Sequence, residues 1–386
     1  MSHAWSTVRL GEHCTKIGSG ATPRGGESVY LEEGVAFIRS QNVYNGHFTN
    51  EGLAYLGDEH AEQLRGVTVE SGDILLNITG DSEARSCLVP DDILPSRVNQ
   101  HVAIIRPNPD DFDSRFLGYY LISPFMQETM LSLAGSGGTR KALTKEMIEH
   151  FEVPRPPRAV QGRIADILSG YDDLIENNRR RMALLEDAAR HLYREWFVRL
   201  RFPGHEHARI TKGVPEGWER TGFENAIVLQ RGFDLPVQAR EDGEVPIYGS
   251  TGINGFHNKA KVTGPGVVTG RSGTLGEVHY IPGDFWPLNT ALWIKEFRRV
   301  TPLFSLFLMR EMDLKQYNGG VSVPTLDRKT VHKVEILVPA KNLLLIFDEF
   351  ATPLFDQIGT LTLQTQKLRA ARDLLLPRLM SREIAV

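Results

Sequence analysis

The side chains that could do covalent or metal chemistry are few in this chain, and their spacing does not suit it. The 386 residues contain no GxxxxGK[ST] phosphate loop, no HExxH pair and no GxSxG elbow. They also lack an Asn-Pro-Pro-aromatic or Asp-Pro-Pro-aromatic tetrapeptide, the usual site for methylating amino groups. His205-Glu206-His207 offers two imidazoles and a carboxylate but no further ligand close in sequence, so no metal site is expected there. Cys14 and Cys87 form no CxxC pair and no metal spacing, which suits a reducing compartment. Asn77-Ile78-Thr79 matches a glycosylation sequon that has no meaning in such a compartment.

Hydrogen-bonding groups in Gly-rich loops are plentiful instead. Amides and guanidiniums suit base edges, and small hydroxyl or glycine loops suit phosphates. In the first half the candidates are Arg39, Ser40, Gln41 and Asn42; Asn77, Thr79 and Arg85 within NITGDSEAR; Arg97 and Asn99 within SRVNQ; and Thr139, Arg140 and Lys141 within GGTRK. In the second half they are Gln230 and Arg231, Ser250 and Thr251, Arg271, Ser272 and Thr274, Asn289 and Thr290, and Ser322. Loops of this composition also serve as plain turns. The net charge of −4 is not that of a protein coated with phosphate-binding groups. The basic charge is concentrated from Arg155 to Lys212, with twelve Lys and Arg against eight Asp and Glu.

The elements that must position these loops are duplicated. GGTRKALTKEMIEHFEVPRP (Gly137 to Pro156) recurs, with one insertion, as GGVSVPTLDRKTVHKVEILVP (Gly319 to Pro339). Leu143 then matches Leu326, Pro156 matches Pro339 and Ile175 matches Ile358, a constant offset of 183. More weakly, Trp5 matches Trp218 and GVAFIRSQNV from Gly34 matches EVPIYGSTGI from Glu244, which leaves the second copy shorter by about thirty residues.

Each copy ends in a helical pattern with seam residues at alternating spacings of three and four. The first seam is Ile164, Leu168, Tyr171, Ile175, Asn178, Met182, Leu185, Ala189, Leu192 and Trp196. The second is Phe347, Ala351, Leu354, Ile358, Leu361, Thr365, Leu368, Arg372, Leu375 and Leu379. Each predicts a rod of roughly 48 Å. Antiparallel pairing about a local two-fold axis would set Trp196 against Phe347, Ile164 against Leu379, Tyr171 against Arg372, and polar Asn178 against polar Thr365. Short β-branched runs separated by Gly and Pro (Val35 to Arg39, Asp73 to Ile78, Val102 to Arg106, Val267 to Gly270, Ala291 to Lys295) predict a twisted sheet in each head. The fold class expected is α/β: two mixed α/β domains separated by a long antiparallel two-helix coiled coil, with a pseudo-two-fold internal repeat.

The duplicated loop endings, REWFVRLRFPG from Arg194, LLPRLMSREI from Leu375 and GRSGTLGEVHYIPGDFWPLNTALWI from Gly270 resemble the specificity subunits of type I restriction-modification enzymes over essentially the whole chain. That resemblance implies a target-recognition domain over residues 1–156, a conserved helix over 157–202, a linker over 203–213, a second target-recognition domain over 214–339 and a second conserved helix over 340–386. It further implies that each domain reads one half of a split, asymmetric site on double-stranded DNA in the major groove, which makes the loop residues above DNA-contact candidates. The helices would dock methyltransferase subunits, and motor-nuclease subunits would join for restriction. No catalytic residue and no cofactor is expected in this chain; S-adenosylmethionine, ATP and Mg would belong to the partners. With no basic and apolar leader and no long apolar run, a cytoplasmic chain is expected. The rival expectation is a non-catalytic adaptor that binds protein or glycan through its duplicated heads.

Overall fold

The computed structural model describes residues 5–135, 142–320 and 322–386. Two compact units divide the chain: Met1–Glu176 with Thr365–Val386, and Asn177–Gln364. The 3,4 spacing forms helices Arg158–Tyr193 and Lys341–Met380, the first running into a π turn at Arg194–Val198. Each helix contributes one half to each unit. Every one of the twenty seam residues is buried or half-buried, as a seam packed on a partner requires.

In the first unit, strands Cys14–Ser19, Val102–Pro107, Ile74–Asn77 and Ser86–Leu88 form an antiparallel sheet in that order. Ile74, Leu75 and Leu76 are fully buried, which explains a continuous apolar run where a half-exposed strand would alternate. A second sheet has the order Ala54–Leu56, Val35–Ile38, Ser96–Val98, Thr68–Val69, with its two central strands parallel. Thr7–Arg9 and Glu152–Pro154 pair antiparallel and clasp the two ends of the head together. Helix Ser114–Leu121 starts where the Asp113 carboxylate accepts from Arg115 N, at 3.0 Å. Its Phe116, Leu117 and Leu121 meet Ile164, Leu168, Leu376 and Leu379 of the long helices in one core.

The second unit repeats this plan. Strands Ile227–Arg231, Ala291–Phe297, Gly266–Gly270 and Val278–Ile281 form the matching antiparallel sheet. Gly252–His257, Val245–Gly249 and Trp286–Pro287 form the second sheet, again with one parallel pair. Glu219–Gly222 and Glu335–Val338 make the clasp. Part of the missing length is thereby located. Helix Asp58–Gln63 and strand Thr68–Val69 of the first head have no counterpart among the described residues of the second.

The expected register holds within each unit, allowing one position of slack. In the second unit Trp196 meets Phe347 at a ring-centroid distance of 6.2 Å, and Thr362 Oγ1 lies 3.3 Å from Met182 Sδ. In the first, Arg372 reaches the helix one residue past the expected Tyr171, and its guanidinium goes to Asp172 and Asp373 instead of the aromatic ring. A charge-assisted bond to a carboxylate outweighs the ring quadrupole. Asn178 and Thr365 are both buried, at 6% exposure each, and Thr365 Oγ1 has no hydrogen-bond partner. Among the described residues no helix is long and apolar enough to cross a membrane.

Candidate functional site

In each head the candidate loops gather at one edge of the antiparallel sheet, where two strands end and a third begins. In the first head Val102 sits opposite Asn77 and Ala103 opposite Ser19. In the second, Ala291 sits opposite Gly270 and Leu292 opposite Arg231.

Backbone hydrogen bonds knit these loops together in the same way twice. Asn99 N donates to Ile38 O (2.9 Å) as Leu288 N does to Tyr248 O (2.8 Å). Ala21 N donates to Val98 O (3.1 Å) as Phe233 N does to Pro287 O (2.8 Å). Ile78 N donates to His101 O (3.0 Å) as Arg271 N does to Thr290 O (2.8 Å), and Leu143 N to Ile78 O (2.9 Å) as Leu326 N to Arg271 O (2.8 Å). Gly20 and Gly232 are equivalent as well: a Cβ on either would collide with the carbonyls of Val98 and Asn99, or of Pro287 and Leu288. Only glycine permits that approach of two backbones.

Side chains differ at nearly every matched position. In the first head Gln41 is exposed, Ser40 and Thr79 are half-buried, and Thr79 Oγ1 lies 2.7 Å from Nδ1 of the exposed His101. Arg85 lies over the Tyr44 ring at 5.0 Å. Arg39 is held on three sides, by Tyr30 (5.3 Å), Glu27 (3.6 Å) and the Gly52 carbonyl (2.7 Å). Four candidates are buried. Asn42 is fully buried and its amide donates to Thr49 O (3.0 Å) and Glu51 O (3.2 Å). Asn77 is fully buried and donates to Ser40 O. Arg97, 9% exposed, donates from Nε to Ala61 O at 3.0 Å. Asn99 is also buried, its Oδ1 accepting from His101 N. Thr139, Arg140 and Lys141 lie outside the described residues.

In the second head Arg231, Thr251, Thr274 and Ser322 are exposed, while Gln230, Ser250, Arg271, Ser272, Asn289 and Thr290 are half-buried. Arg271 Nη1 donates to Asn289 O at 2.8 Å, and the Asn289 amide donates to Asp234. Sequence reading passed over His101, Tyr44 and Asp234. His101 follows the chosen Asn99 by two positions, and Asp234 follows Arg231 by three, so their loops were available as a signal.

Among the described residues no group of three or more His, Cys, Asp or Glu side chains could hold a metal ion. Burial pushes the thiols of Cys14 and Cys87 up to about 12, so neither is a thiolate at neutral pH. His205 Nδ1 is 2.8 Å from the Phe202 carbonyl, and His205–His207 forms a short 3₁₀ turn. The arrangement offers donors and acceptors at two matched edges that share a frame and differ in surface.

Comparison with known proteins agrees with this geometry. Residues 3–187 match the family model of the type I restriction modification DNA specificity domain. The chain is 26% identical over 320 residues to the type I restriction enzyme MjaIX specificity subunit of Methanocaldococcus jannaschii, covering 76% of this chain and 74% of that one. It is 22% identical to the HindI specificity subunit of Haemophilus influenzae, covering 91% of this chain and 94% of that one. Its fold matches the crystal structure of the type I restriction-modification S subunit from M. genitalium with a TM-score of 0.61 at 16% identity, over 98% and 97% of the two chains. Residues 3–187 thus carry the similarity to the type I DNA specificity domain, and the relatives that the chain matches along most of its length are specificity subunits of type I restriction-modification enzymes.

Proposed function

We propose that each head reads one half of a bipartite, asymmetric site on double-stranded DNA, and that the long helices dock the methyltransferase subunits that act on it. In this reading residues 1–156 and 214–339 are the two readers, residues 157–202 and 340–386 are the docking helices, and 203–213 is the linker. The reaction's S-adenosylmethionine, and the ATP and Mg of restriction, are bound by partner subunits in the cytoplasm, and a motor-nuclease subunit joins for cleavage. The observation that carries the reading is the duplicated hydrogen-bond frame with unlike side chains on it. Two copies of one frame can present two independent surfaces to two stretches of duplex.

Replacing residues 214–339 with the corresponding domain of a relative should change one half of the methylated sequence only. Mapping methylated adenines across a genome reads this directly, and altered sequence in both halves would sink the proposal. Duplex affinity of the assembled complex should also fall steeply with salt, because phosphate contacts release counterions. Salt-insensitive or absent duplex binding would favour an adaptor for protein or glycan.

A further inference from the structure

Asn77 is a fully buried polar side chain at the first head's edge, and it ties three segments together. Its backbone N donates to Arg85 O (2.8 Å) and its carbonyl accepts from Ala84 N (2.9 Å), closing the loop between them. Its side-chain amide leaves that loop altogether, Nδ2 donating to Ser40 O at 2.9 Å and Val43 O at 3.4 Å. A primary amide is the neutral group with two N–H donors on one nitrogen, so one side chain can serve both carbonyls.

At the equivalent place the second head has Gly270. A Cβ built there would lie 2.9 Å from Ser250 O and would run into Thr274 O. Ser250 matches Ser40 in the aligned strands, and Thr274 stands in the short loop that replaces Ala84 and Arg85. The second head therefore closes the same two loops backbone to backbone, whereas the first holds them apart by the depth of an amide. The frame does not need the amide, since the second head makes the frame without it. Asn77 Oδ1 is, moreover, buried with no hydrogen-bond partner, a poor choice if stability were the only end.

We infer that Asn77 is a positioning residue that sets the separation of the loops carrying Ser40 and Gln41 and carrying Thr79 and Arg85, and thereby the bases accepted in the first half-site. The inference rests on the proposal that these loops face DNA. Asn77 itself touches no base.

The test is selection from a randomised duplex library by the full-length chain in its assembled complex. Asn77→Asp keeps the shape but sets a carboxylate against two carbonyls, and Asn77→Ser keeps one donor on a shorter arm. Both should relax preference within the first half-site by roughly tenfold, the scale of one lost base contact. Preference in the second half-site should be unchanged. Gly270→Ala should give the mirror result. An Asn77→Ser protein that unfolds at the wild-type temperature and selects the wild-type first half-site would overturn the inference, as would equal loss in both halves. If Asn77→Asp fails to fold, the serine variant decides. A wild-type complex that selects no sequence at all would instead remove the DNA-reading proposal, and this inference with it.

Discussion

The two heads sit on the long helices by different chemistry. In the first unit Tyr119 Oη donates to Asp172 at 2.6 Å, and Arg372 donates to the same carboxylate. In the second unit the matching positions are Phe307, Phe355 and Ala189; the two rings meet at 6.0 Å and the alanine is fully buried. The pattern extends outward. Around Phe347 the second unit gathers Tyr193, Trp196, Phe197 and Phe307, with ring centroids 5.2 to 6.3 Å away. The residue matching Phe347 in the first unit is Ile164, in a core of Leu168, Leu376 and Leu379. One duplicated helix pair thus supports an aromatic joint at one head and an aliphatic joint with a hydrogen-bonded ionic triad at the other. The backbone frame is constrained more tightly than the means of holding it.

Breaking the aromatic joint should have the largest effect. Phe347→Ala should cost about 3–5 kcal/mol, because the cavity left among four rings cannot collapse fully; denaturant unfolding of the full chain measures it. Ile164→Ala at the matched place removes less surface and should cost less.

The ionic triad comes next. Asp172→Ala strands the Tyr119 hydroxyl, leaves the half-buried Arg372 guanidinium with Asp373 alone, and should cost roughly 1.5–3 kcal/mol. Combining Tyr119→Phe, Asp172→Phe and Arg372→Ala installs the second unit's joint in the first. That triple variant should recover most of the loss, and its stability should lose the salt dependence of the wild-type joint. Continued instability of the triple variant in urea melts would mean that the two joints are not interchangeable.

The smallest effect concerns pH. His332 Nε2 accepts from Leu229 N at 3.0 Å, and burial holds the ring below the usual histidine range. The unfolded chain therefore takes up a proton before the folded one does. Stability should be fully present above about pH 6.5 and decline as pH falls below it. The first head has Glu149 at the matched position. Melting temperature followed from pH 7.5 to 5 should fall less in His332→Gln than in the wild type, and parallel curves would exclude His332 as the source.

Much of this was legible in the sequence. The constant offset of 183 and the 3,4 spacing identified all twenty seam positions, because burial along a helix is a local, periodic property. The facing of Trp196 and Phe347 followed from symmetry alone. Side-chain commitment was not legible. Asn42, Asn77 and Arg97 have the right groups for reading bases, yet their partners are carbonyls 7 to 37 residues away. Polarity in a loop does not distinguish a brace from a reader until the fold supplies those carbonyls. Arg372 was misplaced for a related reason: its long arm chose the carboxylate next to the ring that symmetry had assigned.

The two-strand clasps have a genetic consequence. Thr7 lies opposite Pro154 and Glu219 opposite Val338, so each head enters and leaves the rest of the chain through one antiparallel pair. A crossover in each of the two short coding segments for a clasp exchanges everything between them. The backbone ends of the incoming head are then already side by side, and no other strand pairing within that unit must be remade. Recombination can in this way replace one whole head while the long helices pass through it unchanged.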